Sequence, residues 1–540
     1  MVGRIFSRLL LVLAIAVQLS AQARPTKFRI TGKTVSSITG QVLPGVEVWV
    51  LKAGQYDATP QITKVLTGDD GAFTFTGLEP GKYEIIGQRN GYRRQGFEQH
   101  GLYDSAVVVG PGIDSEHVVF RLRPDARIVG TILDEEHDPV PNATIHLFRA
   151  DSSAGLAQTY FVDQALTDDR GFYRFSHLEP GSYFLIVTAQ PWFTAFAQVD
   201  GDESHRTQAE QSAFDVAFPT TFYPGVTDTG SASQIGLNDG EEFTADFTLT
   251  AVPAVRLRLK HFNTNPQQPK NAILQQKVFG ATIDPPSQRQ IPVDDSVEIR
   301  GVPPGKYELK VDSYGPTPST RMTLVDLTTD LDFDADAASA PPLISGVIRM
   351  DGNLNLRPQA FVRLWNIRAR EMLDTQIGQN GEFHFEPDFL RPGSYSVFVV
   401  NGENSIVASL SAEGAQVVGQ NIQITSSKPK PIQLSIVLSS TLSAINGIAR
   451  RDGQPFPGAM ILLIPENPEM NLPLFRRDQS DSDGTFTLRD VLPGRYRIVA
   501  IENGWKLEWA KPDLLNSLLD HSVSIEVQPS KTYQTSVNVE

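Results

Sequence analysis

The 540-residue chain contains no cysteine. That excludes a disulfide framework, so each domain must be stable from its own core. It also leaves nothing to carry a thioether-linked lipid, which excludes a lipoprotein. Long apolar runs are scarce too. The strongest, "LLLVLAIAV" at Leu9–Val17, is too short to span a membrane comfortably, and nothing later approaches the needed length. Helical periodicity is nearly absent, with "PDLLNSLLD" (512–520) and "ESHRTQAEQSAFDVA" (203–217) the only helix-like stretches. Positive charge is in deficit: 47 Lys and Arg stand against 62 Asp and Glu, for a net charge of −15. Such a surface repels phosphate backbones and argues against nucleic acid as a partner, while favouring solubility.

Catalytic signatures are missing as well. None of the nine histidines is followed three residues later by glutamate, and no H-E-x-x-H occurs. There is no G-x-S-x-G, phosphate loop or dinucleotide fingerprint. The chain therefore reads as a non-enzyme without a cofactor or metal.

What is present begins with a leader. Arg4 and Arg8 precede the apolar run, and Ala21-Gln22-Ala23 supplies a small-x-small cleavage site, so residues 1–23 read as a signal peptide. The arginines are not adjacent, which argues against the twin-arginine route. Cleavage would take the net charge from −15 to −17 by removing those two arginines. The mature chain is expected to be periplasmic or secreted, with no membrane insertion.

A repeat dominates the remainder. "LEPGKYEII" (78–86) returns as "LEPGSYFLI" (178–186), "VPPGKYELK" (302–310), "LRPGSYSVF" (390–398) and "LPGRYRIVA" (492–500). The motif prolines Pro80, Pro180, Pro304, Pro392 and Pro493 are 100, 124, 88 and 101 residues apart, which is domain spacing. Upstream of most copies lies a proline-led strand, such as "LPGVEVWVL" (43–51) or "FPGAMILLI" (456–464). Between the two prolines comes an Asp or Asn near a glycine and then an alternating strand, as in "GDDGAFTFTGL" (68–78) and "GQNGEFHFEPDFL" (378–390). Asp-Gly and Asn-Gly supply the positive φ of a tight hairpin. The third copy has Asp294-Asp295-Ser296 there instead, without glycine.

Pro-Gly predicts a type II turn with glycine at positive φ. The tyrosine two residues beyond it (Tyr83, Tyr183, Tyr307, Tyr395 and Tyr496) is placed to plug the sandwich while its hydroxyl finds a backbone partner. Four units open on a strand carrying glycine: "RITGKTV" (29–35), "RIVGTIL" (127–133), "LISGVIR" (343–349) and "AINGIAR" (444–450). Short strands at this spacing predict an all-β chain of five tandem β-sandwich domains. Their expected spans are 24–124, 125–252 with an insert at about 190–236, 253–342, 343–440 and 441–540.

These combined motifs resemble the carboxypeptidase regulatory-like domain, clearly in units one, two, four and five and weakly in unit three. The resemblance implies prealbumin-like Greek-key sandwiches, related to the B-type repeats of bacterial surface adhesins, in an exported bacterial protein. Adhesin repeats of that kind carry a Lys–Asn cross-link promoted by an acid seven residues after the motif proline. Here those positions hold Gly87, Val187, Val311, Val399 and Ala500, so no such cross-link is expected.

Candidate binding residues are aromatic. Sandwich modules bind sugars by stacking exposed rings on pyranose faces, with polar neighbours fixing orientation. Trp49 and Trp365 lie within strand runs and are expected in cores, whereas Trp192, Phe193, Tyr223, Trp505 and Trp509 are better placed for a ligand. The competing reading of those five is that they cover sandwich ends or inter-domain seams. "DQSDSDGTFTLRD" (478–490) has a partial calcium-loop pattern, but a hairpin turn explains the same residues. The expected function is a non-enzymatic extracytoplasmic binding protein, with carbohydrate as favoured ligand by fold analogy. The alternative is a structural or adhesive spacer that contacts cell-envelope proteins by strand addition.

Overall fold

The computed structural model describes residues 27–54, 62–152, 155–192, 194, 215–262, 267–279, 281–285, 289–314, 319–337, 343–350, 359–366, 371–385, 393–400, 405–424 and 431–540. The leader at 1–23 and most of the helix-like stretch at 203–217 lie outside them. The chain forms two compact units, the first ending at Leu122 and taking in Asp481–Asp483, the second holding the remainder. Both are all-β. Among the described residues no helix is long and apolar enough to cross a membrane.

In the first unit, a sheet ordered Ala72–Leu78, Phe28–Ser36, Val118–Leu122 faces a second built around Glu47–Lys52 and Gly81–Arg89. Ile30, Val48, Phe75, Ile85 and Phe120 fill the space between them. In the second unit the sheets pair around four further sandwich cores, centred on Ile128 and Leu147, Leu257 and Leu309, Leu364 and Leu434, and Ile461 and Phe486. One connection recurs throughout. The opening strand of each sandwich pairs in parallel with its closing strand, as Phe28–Ser36 does with Val118–Leu122 and Ser443–Arg451 with Thr532–Asn538. The second, third and fourth sandwiches do the same.

The sequence motifs meet in space. The glycine of each opening strand lies directly across the ladder from the aromatic that follows the hairpin: Gly32 from Phe73, Gly130 from Tyr173, Gly346 from Phe383, and Gly447 from Phe486. A Cβ on Gly32 would fall 2.7 Å from the Phe73 ring, and one on Gly130 would fall 2.8 Å from Tyr173. Glycine is thus the hole into which the ring folds, and each ring is buried. In the third sandwich Leu259 pairs with Val297 at the equivalent register. A leucine there replaces the hole, and a valine replaces the ring.

The hairpins behave as expected, with Gly71, Gly171, Gly381 and Gly484 at φ of +67, +74, +81 and +78. Asp294 takes the same left-handed conformation in the third sandwich at φ +52. The Pro-Gly segments differ from the expected type II turn. Gly81, Gly181 and Gly494 sit at φ of +154, +158 and +157, well beyond the roughly +80° of that turn, because each glycine already opens its strand. The tyrosine then closes the corner. Its hydroxyl donates to the carbonyl four residues earlier in Tyr83 to Glu79 (3.0 Å), Tyr183 to Glu179 (2.7 Å), Tyr307 to Pro303 (2.7 Å) and Tyr496 to Leu492 (3.0 Å).

Two expected core residues are not in the core. Trp49 lies between inward-facing Val48 and Val50, so the two-residue period turns it to the opposite face, where the Lys64 ammonium and Arg94 guanidinium sit 4.7 and 4.3 Å from the ring centre. Trp365 likewise alternates with buried Leu364 and packs on Phe398 at 5.9 Å.

The expected helix forms at Pro512–Asp520, with proline in its first turn and Leu515 and Leu518 buried. It covers the outer face of the fifth sandwich. Strand Met460–Pro465 is consequently buried on both sides.

Candidate functional site

A cavity of about 740 Å³ opens on the second sandwich, within the range of small-ligand sites. Its floor is the outward face of strand Thr144–Asp151, where Ile145 and Leu147 point into the core and Thr144, His146 and Phe148 point out. Phe161 and Gln164 of strand Gln158–Leu166 form one side. Asp134, Asn142, Gln190 and Trp192 form the rim, and Ala281–Asp284 of the third sandwich closes the far side.

The third sandwich approaches because a second apolar cluster lies on this outer face. Phe148, Phe184, Ile186 and Phe222 pack with Val278 and Ile283. Phe279 seats among them, with ring centres 4.6 Å from Phe184 and 5.5 Å from Phe148. The cavity is therefore a composite of two sandwiches.

Its aromatic and polar groups differ in exposure. Trp192 is 58% exposed and Phe161 44%, so both offer ring surface. His146 is only 9% exposed, its Nε2 3.3 Å from Thr188 Oγ1. Burial pushes the imidazole below its ordinary value, opposed in part by the Asp284 carboxylate. The ring is thus neutral at pH 7. Asp134 Oδ1 accepts from the amides of Glu136 (3.0 Å) and Asp138 (2.9 Å), which fixes the carboxylate at the turn. Asp284 Oδ1 accepts from Gln275 Nε2 at 2.9 Å.

Of the five aromatics singled out from the sequence, only Trp192 lines this cavity, and Phe193 lies outside the described residues. Tyr223 is half-buried, its ring 6.0 Å from Phe243 and 5.9 Å from Phe247 at the sandwich core. Trp509 is 4% exposed, in a cluster with Met460, Leu462 and Phe475. A Cβ on Gly155 would meet its ring at 2.8 Å, so the indole covers a seam with a turn of the second sandwich. Trp505 is half-buried at the edge of the same cluster, and its Nε1 donates to the Gly458 carbonyl at 3.4 Å. Trp509 is thus buried, whereas Trp505 keeps part of its ring accessible.

His146, Phe161 and Asp284 went unnoticed in the sequence. The alternation in "TIHLF" does turn His146 outward, but nothing local signals the sandwich that covers it. Elsewhere, Gly484 closes the hairpin in the stretch with the partial calcium pattern, and Asp478 Oδ2 accepts from the Thr487 amide at 2.6 Å. Among the described residues no group of three or more His, Asp or Glu side chains is placed to hold a metal.

The family model of the carboxypeptidase regulatory-like domain matches residues 29–121 and 127–209. Two segments of the chain thus match carboxypeptidase regulatory-like domains. They correspond to the first two sandwiches, and the cavity floor belongs to the second of them. No curated protein matches the sequence. Among solved structures, the Bacillus anthracis TIE protein is similar over 97% of this chain and 76% of its own, at 9% identity and a TM-score of 0.18. A streptococcal ancillary pilin is similar over 57% of this chain and 99% of its own, at 11% identity and 0.19. The minor pilin GBS52 of Streptococcus agalactiae is similar over 42% and 96%, at 14% identity and 0.20. Scores this low carry nothing further to this chain.

Proposed function

We propose that the protein is a non-enzymatic, exported binding protein whose ligand is carbohydrate, held in the cavity beside Trp192. The observation that carries this reading is the pairing of an exposed indole and an exposed Phe161 ring with polar groups at the same cavity. An indole face matches the apolar face of a pyranose, while Asn142, Gln164 and Gln190 supply the donors and acceptors that orient hydroxyls. Export rests on the leader at 1–23, and the five cores are read as five domains with the boundaries expected from the sequence. The test is affinity electrophoresis of the mature protein through gels containing different polysaccharides, beside Trp192→Ala. Retardation by one polymer, lost in the variant, is the expected result. Migration unchanged in every gel sinks the carbohydrate reading.

A second reading, a structural or adhesive spacer, is favoured by strand Gln158–Leu166. It pairs only with Thr144–Asp151 among the described residues, and Tyr160, Phe161, Val162 and Leu166 are exposed along it. Asp163 is its single charge, and it has neither proline nor lysine to discourage pairing. An extended segment of an envelope protein can add there as a further strand. Val162→Lys would abolish capture of such a partner while leaving polysaccharide retardation intact.

A further inference from the structure

The cavity carries information about the charge of its ligand. Each of the two sandwiches contributes a carboxylate, Asp134 from one and Asp284 from the other. The polar groups between them are neutral amides, hydroxyls and the neutral His146 ring. Among the described lining residues there is no lysine or arginine. Asp134 is 8% exposed and tied to the Glu136 and Asp138 amides, so it cannot swing into solvent to escape an approaching anion.

We propose that this cavity selects saccharides by charge, accepting neutral and amino-bearing sugar units and refusing units that carry a carboxylate, sulfate or phosphate. The proposal rests on the carbohydrate reading and sharpens it. An anionic sugar stacked on Trp192 would lose hydration beside a fixed carboxylate with no cation to compensate. An ammonium on the sugar would instead meet two acceptors. Asp284 is the adjustable element, because it is exposed and reaches the cavity from the neighbouring sandwich. Removing its charge should weaken the selection without disturbing the second sandwich's core.

The experiment is isothermal titration of the mature chain at roughly 0.15 M salt, where diffuse attraction is largely screened. The ligands are matched-length oligosaccharides in neutral, 2-amino and uronic forms, each in gluco, manno and galacto configuration. Within the configuration that binds, the uronic form is expected to be at least about tenfold weaker than the neutral one, and the amino form at least as tight. Asp284→Asn should narrow the uronic-to-neutral ratio by about threefold or more. Trp192→Ala keeps every charge and should lose binding of all forms. Uronic binding equal to neutral overturns the charge selection and leaves the carbohydrate reading standing. A ratio unmoved by Asp284→Asn, or amino binding that survives Trp192→Ala, overturns it as well, since selection would then lie elsewhere or in the net acidity of the chain. If no oligosaccharide binds, both readings fall together.

Discussion

The third sandwich and its four relatives solve one packing problem in two ways. In four of them a glycine on the opening strand faces a buried Phe or Tyr, and in the third Leu259 faces Val297. The pair exchanges volume across the ladder: no side chain with a large one, or two of intermediate size. Close packing of the interior requires such an exchange, since a hole without its ring is a void and a ring without its hole is a clash. The strand glycine and the hairpin aromatic are therefore one device written in two places. This also explains why the third copy looks worn at both places at once.

The comparison can be broken most severely at its odd member. Leu259→Gly opens a hole facing only valine and should cost about 3–5 kcal/mol. Faster hydrogen exchange across strands Val255–Lys260 and Ser296–Val302 would report it. Unchanged protection there would refute the paired-volume account. Next comes Gly447→Ala, whose Cβ would collide with the Phe486 ring, at a cost of about 1–3 kcal/mol. The double variant Gly447→Ala/Phe486→Leu should lose less than the single-substitution costs add up to, measured as a double-mutant cycle on the fifth sandwich. Strict additivity would mean that the two residues do not share one space. The smallest effect is at the feature the two kinds of sandwich share. Tyr183→Phe and Tyr307→Phe each remove one hydroxyl bond to a carbonyl four residues back, so both should cost about 1 kcal/mol. A clear inequality would show that the corner matters differently in the divergent copy.

Those corners also set an alkaline limit. Burial raises the phenol pKa of Tyr83, Tyr307 and Tyr496 above the ordinary tyrosine value. The folded state thus favours the neutral phenol. The resulting stability is fully present below the unfolded value of about 10 and is lost as pH rises beyond it. Circular dichroism followed from about pH 8 to about pH 12 should show unfolding only on the alkaline side of about 10.

Much of this architecture was legible because its signals are local. Asp-Gly turns, the tyrosine corner and the Pro-led helix at Pro512–Asp520 depend on residues a few positions apart. What failed was the side of the sheet. Trp49 and Trp365 sit in apolar runs and read as core, yet the two-residue period places each on the opposite face from its buried neighbours. Trp509 failed the other way, because its burial depends on a second core outside the sandwich. The one clue was the unbroken apolar run "MILLIP", too apolar for a strand with a solvated face. The cavity was least legible of all. Its floor and its far wall come from strands Thr144–Asp151 and Ala281–Ile283, distant in sequence and brought together by the packing around Phe279.

The parallel pairing of first and last strands has a mechanical consequence. Because the two strands run in the same direction side by side, a pull on the chain ends of a sandwich drags one along the other. All of their ladder bonds then bear the load together, and none can be opened singly in sequence. Phe28–Ser36 with Val118–Leu122 and Ser443–Arg451 with Thr532–Asn538 are clamps of this kind. Under tension each sandwich should yield abruptly at a high force, its rupture set by the unfolding rate rather than by equilibrium stability.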